Sequence, residues 1–337
     1  MSMIEFARSY FQIQPVSLDF IQACIADEML LVDAEIRRQL HSDVPLVNQV
    51  SEYIVNSGGK RLRPALVLLS SGVFGRIGPQ HHTLAAVIEF IHTATLLHDD
   101  VVDASSMRRG RVTANSMFGN AASVLVGDFI YSRAFQMMVS VQNMRVMEVL
   151  ADATNIIAEG EVLQLLNCHD ADVTDDAYLK VIHYKTAKLF EAATRMGAIL
   201  NNASAGDEAA MSEYGMRLGT AFQLIDDVLD FSGETGKIGK DLGDDLAEGK
   251  PTLPLLYALR HGNQKQAQLI RHAIEHGGLE NLQEIVGIVG KTGALEHVRN
   301  LARNESEAAC AAIAHLPDSN YHGALVELAA FAVGRTY

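Results

Sequence analysis

The chain has 337 residues, of which 48% are apolar, with 7 prolines and no tryptophan. That is enough to bury a large core in one domain or two, and a formal charge of −14 argues against a general nucleic-acid binder, which needs a basic face. The three cysteines, Cys24, Cys168 and Cys310, form no CxxC pair and no disulfide ladder, so a reducing, cytoplasmic setting is expected.

Taken in chain order, Ile21, Ile25, Met29 and Val32 form an apolar stripe that predicts a helix over 18–40. Ser57-Gly58-Gly59 breaks the pattern, and Pro64 suits the first turn of a helix running to residue 73. A turn at 75–79 precedes a helix over 80–102, and 107–111 reads as a polar, basic loop. Further helices are predicted over 121–141, 144–166, 175–200, 208–231, 252–260, 265–275, 279–291, 295–314 and 323–333. The expectation is an all-α chain forming a single domain over 1–337, because no composition break or low-complexity tract divides it. Residues 233–249 are the longest irregular stretch after residue 120 and read as a flap that a ligand orders. No uninterrupted apolar run is long enough to span a membrane; 121–141 comes closest and is broken by Asp128, Arg133 and Gln136. The start of the chain lacks the basic and apolar segments of a secretory signal.

The acidic word DDxxD occurs twice, as Asp99-Asp100-Val101-Val102-Asp103 and as Asp226-Asp227-Val228-Leu229-Asp230, each after an apolar run. On a helix the first and last aspartates of the word share a face, and like charges at that spacing repel. The first copy also ends a helix, where acidic groups oppose the helix dipole. Both facts call for a compensating cation. Carboxylates without His or Cys partners suit magnesium, manganese or calcium better than zinc, and no EF-hand spacing is present. Magnesium is usually held by one or two carboxylates together with substrate phosphates, so a phosphorylated ligand between two acidic helices is expected. Read singly, each word is equally compatible with a solvated helix end.

The basic counterpart is Gly58-Gly59-Lys60-Arg61-Leu62-Arg63-Pro64, where cations flank a glycine turn and a helix start. Backbone N–H groups there can face an anion, and Lys60 and Arg63 can add charge-assisted bonds to phosphate. Arg108-Arg109-Gly110 follows Asp103 closely enough to stay near the carboxylates. Lys185-Thr186, Gln223 and Lys240 are weaker signals taken alone.

In this order the motifs resemble the trans-isoprenyl diphosphate synthases, or polyprenyl synthetases, over about residues 40–335. The stretches from Glu89 to His98 and from Gly249 to Leu256 look closest to bacterial members that make the eight-unit (C40) chain of ubiquinone. The resemblance implies an antiparallel helix bundle around a deep central cavity, usually in a homodimer, and a Mg2+ (or Mn2+) dependent prenyltransferase. It implies that Asp99 and Asp103, supported by Asp100, hold magnesium under an allylic diphosphate, and that Asp226, with Asp227 and Asp230, holds a further ion. Arg108, Lys185, Thr186, Gln223 and Lys240 would contact the allylic diphosphate, and Lys60, Arg63, His92 and Arg109 isopentenyl diphosphate. Asp99, Asp103, Asp226, Lys185 and Arg108 would thus carry the catalysis. Residues 1–15 would be an N-terminal extension.

In that family bulky residues four and five places before the first aspartate stop chain growth. Here those places hold Thr95 and Ala94, which implies a long product, and Met137 and Met138 are candidates for the tunnel floor. Two other readings compete. A terpene cyclase usually lacks the second DDxxD and the Gly-Gly-Lys motif, and a non-catalytic partner subunit typically loses an acidic motif that is intact here.

Overall fold

The computed structural model describes residues 18–56, 58–108, 110–232, 243–277 and 279–335. The chain is a helix bundle, and the expected all-α class holds. Helices α1 (Asp19–Leu40), α2 (Pro45–Asn56), α3 (Leu62–Val73) and α4 (Pro79–Val102) come first. A minimal antiparallel ribbon, β1 (Met107–Arg108) with β2 (Arg111–Val112), and the short α5 (Ala114–Phe118) follow. Then come α6 (Asn120–Ser140), α7 (Met144–Asn167), α8 (Asp175–Val181), a π-helical turn (Ile182–Ala187), α9 (Lys188–Leu200) and α10 (Ala205–Ser232). The chain closes with α11 (Asp244–Ala247), α12 (Leu253–His261), α13 (Gln264–His276), α14 (Leu282–Lys291), α15 (Ala294–Ile313) and α16 (Asn320–Gly334).

Three departures from the sequence reading have physical causes. Helix α2 was not anticipated, because its apolar residues are largely half exposed and only Val50 and Ser51 are buried. The basic loop folds into the β1–β2 ribbon, with Met107 opposite Val112. The single helix expected over 175–200 is interrupted by the π turn, which inserts one residue per turn relative to an α-helix.

Helix α9 is the axis of the bundle. Ten of its thirteen residues, from Leu189 to Ile199, are buried, and it packs on α3, α4, α7 and α10. Backbones approach closely where glycine removes the side chain. A Cβ built on Gly197 would lie 2.4 Å from the backbone nitrogen of Ser71 on α3, and one on Gly219 would lie 2.6 Å from Cα of Ala187. Asn201, just past α9, ties it to α3 by donating to the Ser71 carbonyl at 3.1 Å. The same axis therefore fixes the π turn at its N-terminal end.

These contacts give a paired expectation. Gly197→Ala overpacks the α3–α9 contact and should lower stability by about 1–3 kcal/mol. Gly287→Ala, in α14 with nothing within 4 Å of the added methyl, should raise it by about 0.5–1 kcal/mol by removing backbone entropy from the unfolded chain. Urea denaturation midpoints should move in opposite directions for the two variants.

Candidate active site

One cavity of about 730 Å³ gathers most of the motif residues. Helix α4 contributes His92, Thr95, Leu96 and Asp99, and its C-cap Asp103 follows; steps of three or four residues from turn to turn put them on one face. Helix α10 contributes Phe222, Gln223, Asp226, Asp227, Leu229 and Asp230, so the two acidic words line the same space. Lys60 and Arg63, from the glycine turn, also line it. That turn is held in an unusual backbone path: Gly58 and Gly59 have positive φ, and Arg61 takes a left-handed φ of 49° before α3. The Arg61 guanidinium is clamped to Glu89, which offsets the local strain.

The first acidic word is compensated by lysines from distant helices. Lys185 reaches Asp99 at 3.4 Å and Glu161 of α7 at 2.5 Å. Lys250 reaches Asp103 at 2.9 Å and also pairs with Glu248. Burial would push both ammonium groups down, but the surrounding carboxylates outweigh it and hold them above their usual range. The π turn aims Lys185 and Thr186 into the cavity, and Gly160 of α7 lets it approach: a Cβ there would lie 2.7 Å from the Lys185 nitrogen.

The second word is compensated by Arg335. Its guanidinium donates to Asp226 at 2.8 Å and to the Phe222 carbonyl at 2.8 Å, and it stacks 3.6 Å from the Phe222 ring centroid.

The middle aspartate of each word faces inward. Asp100 is buried and receives the Arg108 guanidinium at 2.7 Å; it does not line the cavity. Asp227 is 2% exposed, and its two oxygens accept from Gln223 Nε2 at 2.8 Å and from the Tyr178 hydroxyl. Burial raises the Asp100 carboxyl above its ordinary range against the pull of Arg108. Burial and the neighbouring Asp245 raise Asp227 to about 8, and burial and Asp99, against Lys185, raise Glu161 to about 7.

Other expected site residues meet directly. Arg63 donates to His92 at 3.1 Å, and Thr186 donates to Gln223 at 3.0 Å. Among the chain-length candidates, Thr95 lines the cavity, while Ala94, Met137 and Met138 are buried and do not. Arg109, Lys240 and most of the expected flap lie outside the described residues, as does the segment 1–15. Glu161, Tyr178, Lys250 and Arg335 escaped the sequence reading. Lys250 had a partial signal in Gly249-Lys250-Pro251-Thr252; the others are isolated residues whose partners are distant in sequence.

The donor set fits a hard divalent cation. Asp99, Asp103, Asp226 and Asp230 line the cavity with no imidazole or thiolate donor among them. Among the described residues no three ligating side chains are already gathered into a metal cage.

The family model described as polyprenyl synthetase matches residues 44–289. Octaprenyl diphosphate synthase of Escherichia coli is 53% identical over 321 residues, covering 95% of this chain and 99% of that one. An all-trans-nonaprenyl-diphosphate synthase (geranyl-diphosphate specific) of Rhodobacter capsulatus is 44% identical, covering 95% and 99%. A polyprenyl synthase from Caulobacter crescentus, crystallised with calcium and isoprenyl diphosphate, superposes with a TM-score of 0.93 at 41% identity, covering 96% of this chain and 99% of that one.

The raised carboxyls give a pH expectation. A carboxyl that keeps its proton to higher pH in the folded state makes folding take up protons, so stability falls as pH rises from the unfolded to the folded value. That window runs from 4.5 to about 7 for Glu161 and from 3.8 to about 8 for Asp227. Across it, the melting temperature of the metal-free wild type should fall relative to a Glu161→Gln, Asp227→Asn double variant. Parallel melting curves would remove the two carboxyls as the source.

Proposed function

Because the chain belongs to the polyprenyl synthetase family, we propose that it condenses isopentenyl diphosphate units onto an allylic diphosphate, such as farnesyl diphosphate, to make a long all-trans polyprenyl diphosphate. The C40 octaprenyl product, used for a quinone side chain, is the favoured one. The observation that carries this reading is the shared cavity, with two acidic words on facing helices and two basic groups between them.

The residues divide the work as follows. Lys185, Thr186, Gln223 and Arg108 grip the allylic diphosphate, together with Lys240, which lies outside the described residues. Lys60, Arg63, His92 and Arg109 hold the second diphosphate. Asp99, Asp103, Asp226 and Asp230 would hold magnesium, which would supply charge neutralisation to the leaving diphosphate. Asp100 and Asp227 support them from behind. Cationic donors aimed at the departing oxygens stabilise the charge that develops as the C–O bond breaks. Leu96, Val181, Ile182, Phe222 and Leu229 give that end of the cavity an apolar wall, which excludes water while the allylic carbon is electron-poor. The double bond of isopentenyl diphosphate then forms the new C–C bond, and a proton passes to the released diphosphate. No protein nucleophile is needed.

Chain growth is proposed to run along α4 past Thr95 and Ala94 toward Met137 and Met138. A homodimer is proposed on the exposed apolar side chains of α6 and α7, including Leu125, Val139, Met144, Leu165 and Leu166. Among the described residues no helix is long and apolar enough to cross a membrane, and the three cysteines are free, in keeping with the cytoplasmic setting proposed.

Incubated with farnesyl diphosphate, isopentenyl diphosphate and Mg2+, the protein should yield a dephosphorylated C40 alcohol by mass spectrometry, and EDTA should abolish it. Asp99→Ala should remove turnover while leaving the protein folded, because it also removes a like charge; turnover retained by this variant would dismiss the metal assignment.

Ala94→Phe should shorten the product, with a thermal melt to confirm that the buried site accepts the ring. An unchanged product mass would take Ala94 out of the path of the growing chain.

A further inference from the structure

Tyr178 has no role in the function described so far, yet it is buried against the most constrained carboxylate of the site. Its ring belongs to the apolar cluster of Ile182, Leu224, Ile225, Val228, Leu253 and Leu256, so the side chain has no freedom to swing away. Its hydroxyl donates to Asp227 Oδ2. Leu253 opens α12, immediately after the turn that carries Lys250 to Asp103. The other oxygen of Asp227 accepts from Gln223 Nε2 at 2.8 Å, and Gln223 Oε1 accepts from Thr186 at 3.0 Å.

One chain of hydrogen bonds therefore runs from Thr186 on the π turn, through Gln223 and Asp227 on α10, to Tyr178 on α8. The amide of Gln223 must present its oxygen to Thr186 because its NH2 is taken by Asp227. Asp227 must stay inward because Tyr178 holds its second oxygen.

We propose that Tyr178 is a positioning residue: through Asp227 it fixes the orientation of Gln223 and Thr186, the pair that meets the allylic diphosphate. The inference rests on the prenyl-transfer reading above. It makes Asp227, which borders the cavity but is buried with both oxygens already bonded, an anchor, and leaves the metal to Asp99, Asp103, Asp226 and Asp230.

The test uses the full-length enzyme and three variants: Tyr178→Phe, Asp227→Asn and the two combined. For each, kcat, KM for both diphosphates and the half-saturating Mg2+ concentration are measured, with thermal melts alongside. Tyr178→Phe should lower kcat/KM for the allylic diphosphate by about 10- to 100-fold, the range typical of lost supporting hydrogen bonds. KM for isopentenyl diphosphate and the Mg2+ requirement should stay within about two-fold of wild type. Asp227→Asn should show the same split, and the double variant should be no worse than the poorer single one, as expected of residues acting as one unit. If Tyr178→Phe is poorly folded, Asp227→Asn with Tyr178 intact carries the test. A higher Mg2+ requirement in Asp227→Asn, additive losses in the double variant, or wild-type kinetics in Tyr178→Phe would each overturn the proposal. An inactive wild-type enzyme would instead overturn the prenyl-transfer reading.

Discussion

The constraint on which this structure turns is the meeting of like charges at the C-terminal end of α4. Asp99 and Asp103 sit on one face, with the helix dipole opposed to them, and a low-dielectric wall strengthens their repulsion. The fold answers with Lys185 and Lys250, which come from either side of α10 in sequence and have no other reason to meet. Arg335 does the same for Asp226 from the far end of the chain. The architecture of the bundle is thus partly an arrangement for delivering cations to two acid clusters.

Those cations are also the groups that a diphosphate would attract. Before a ligand arrives, Lys185 is held by Asp99 and Glu161 and Lys250 by Asp103 and Glu248. A metal taking the aspartates would release the lysines to the phosphate, so the two halves of the ligand are coupled: each makes room for the other. Glu161 and Glu248 then matter as the partners that keep an ammonium from being left buried alone, which is costly.

Much of the site was legible in the sequence because the chemistry is written as short words. DDxxD, the glycine turn with its cations, Lys-Thr and Gln223 all end up around one cavity. The burial of Asp100 and Asp227 was not anticipated: both were grouped with the metal carboxylates, although neighbouring residues on a helix cannot face the same way. What could not be read were relations between distant residues. Nothing local marks Glu161 as the partner of Lys185, Tyr178 as the partner of Asp227, or Arg335 as the partner of Asp226. The π turn was equally hidden, because it changes hydrogen-bond register without changing composition. Most helix boundaries came within a few residues; α2 did not, as its exposed apolar side chains blur the stripe that periodicity detects.

The π turn also says something about which changes this family of folds can tolerate. It stores one surplus residue between two helical segments. Deleting one residue of Ile182–Ala187 would let the backbone relax into a continuous α-helix, with the segments on either side keeping nearly the same phase. Tyr178 on α8 would keep its apolar nest, and the change would fall on Lys185 and Thr186, the two residues that the turn aims into the cavity. The surplus residue thus bears on the site more than on the bundle: losing it would spare the packing and cost the aim of those two side chains.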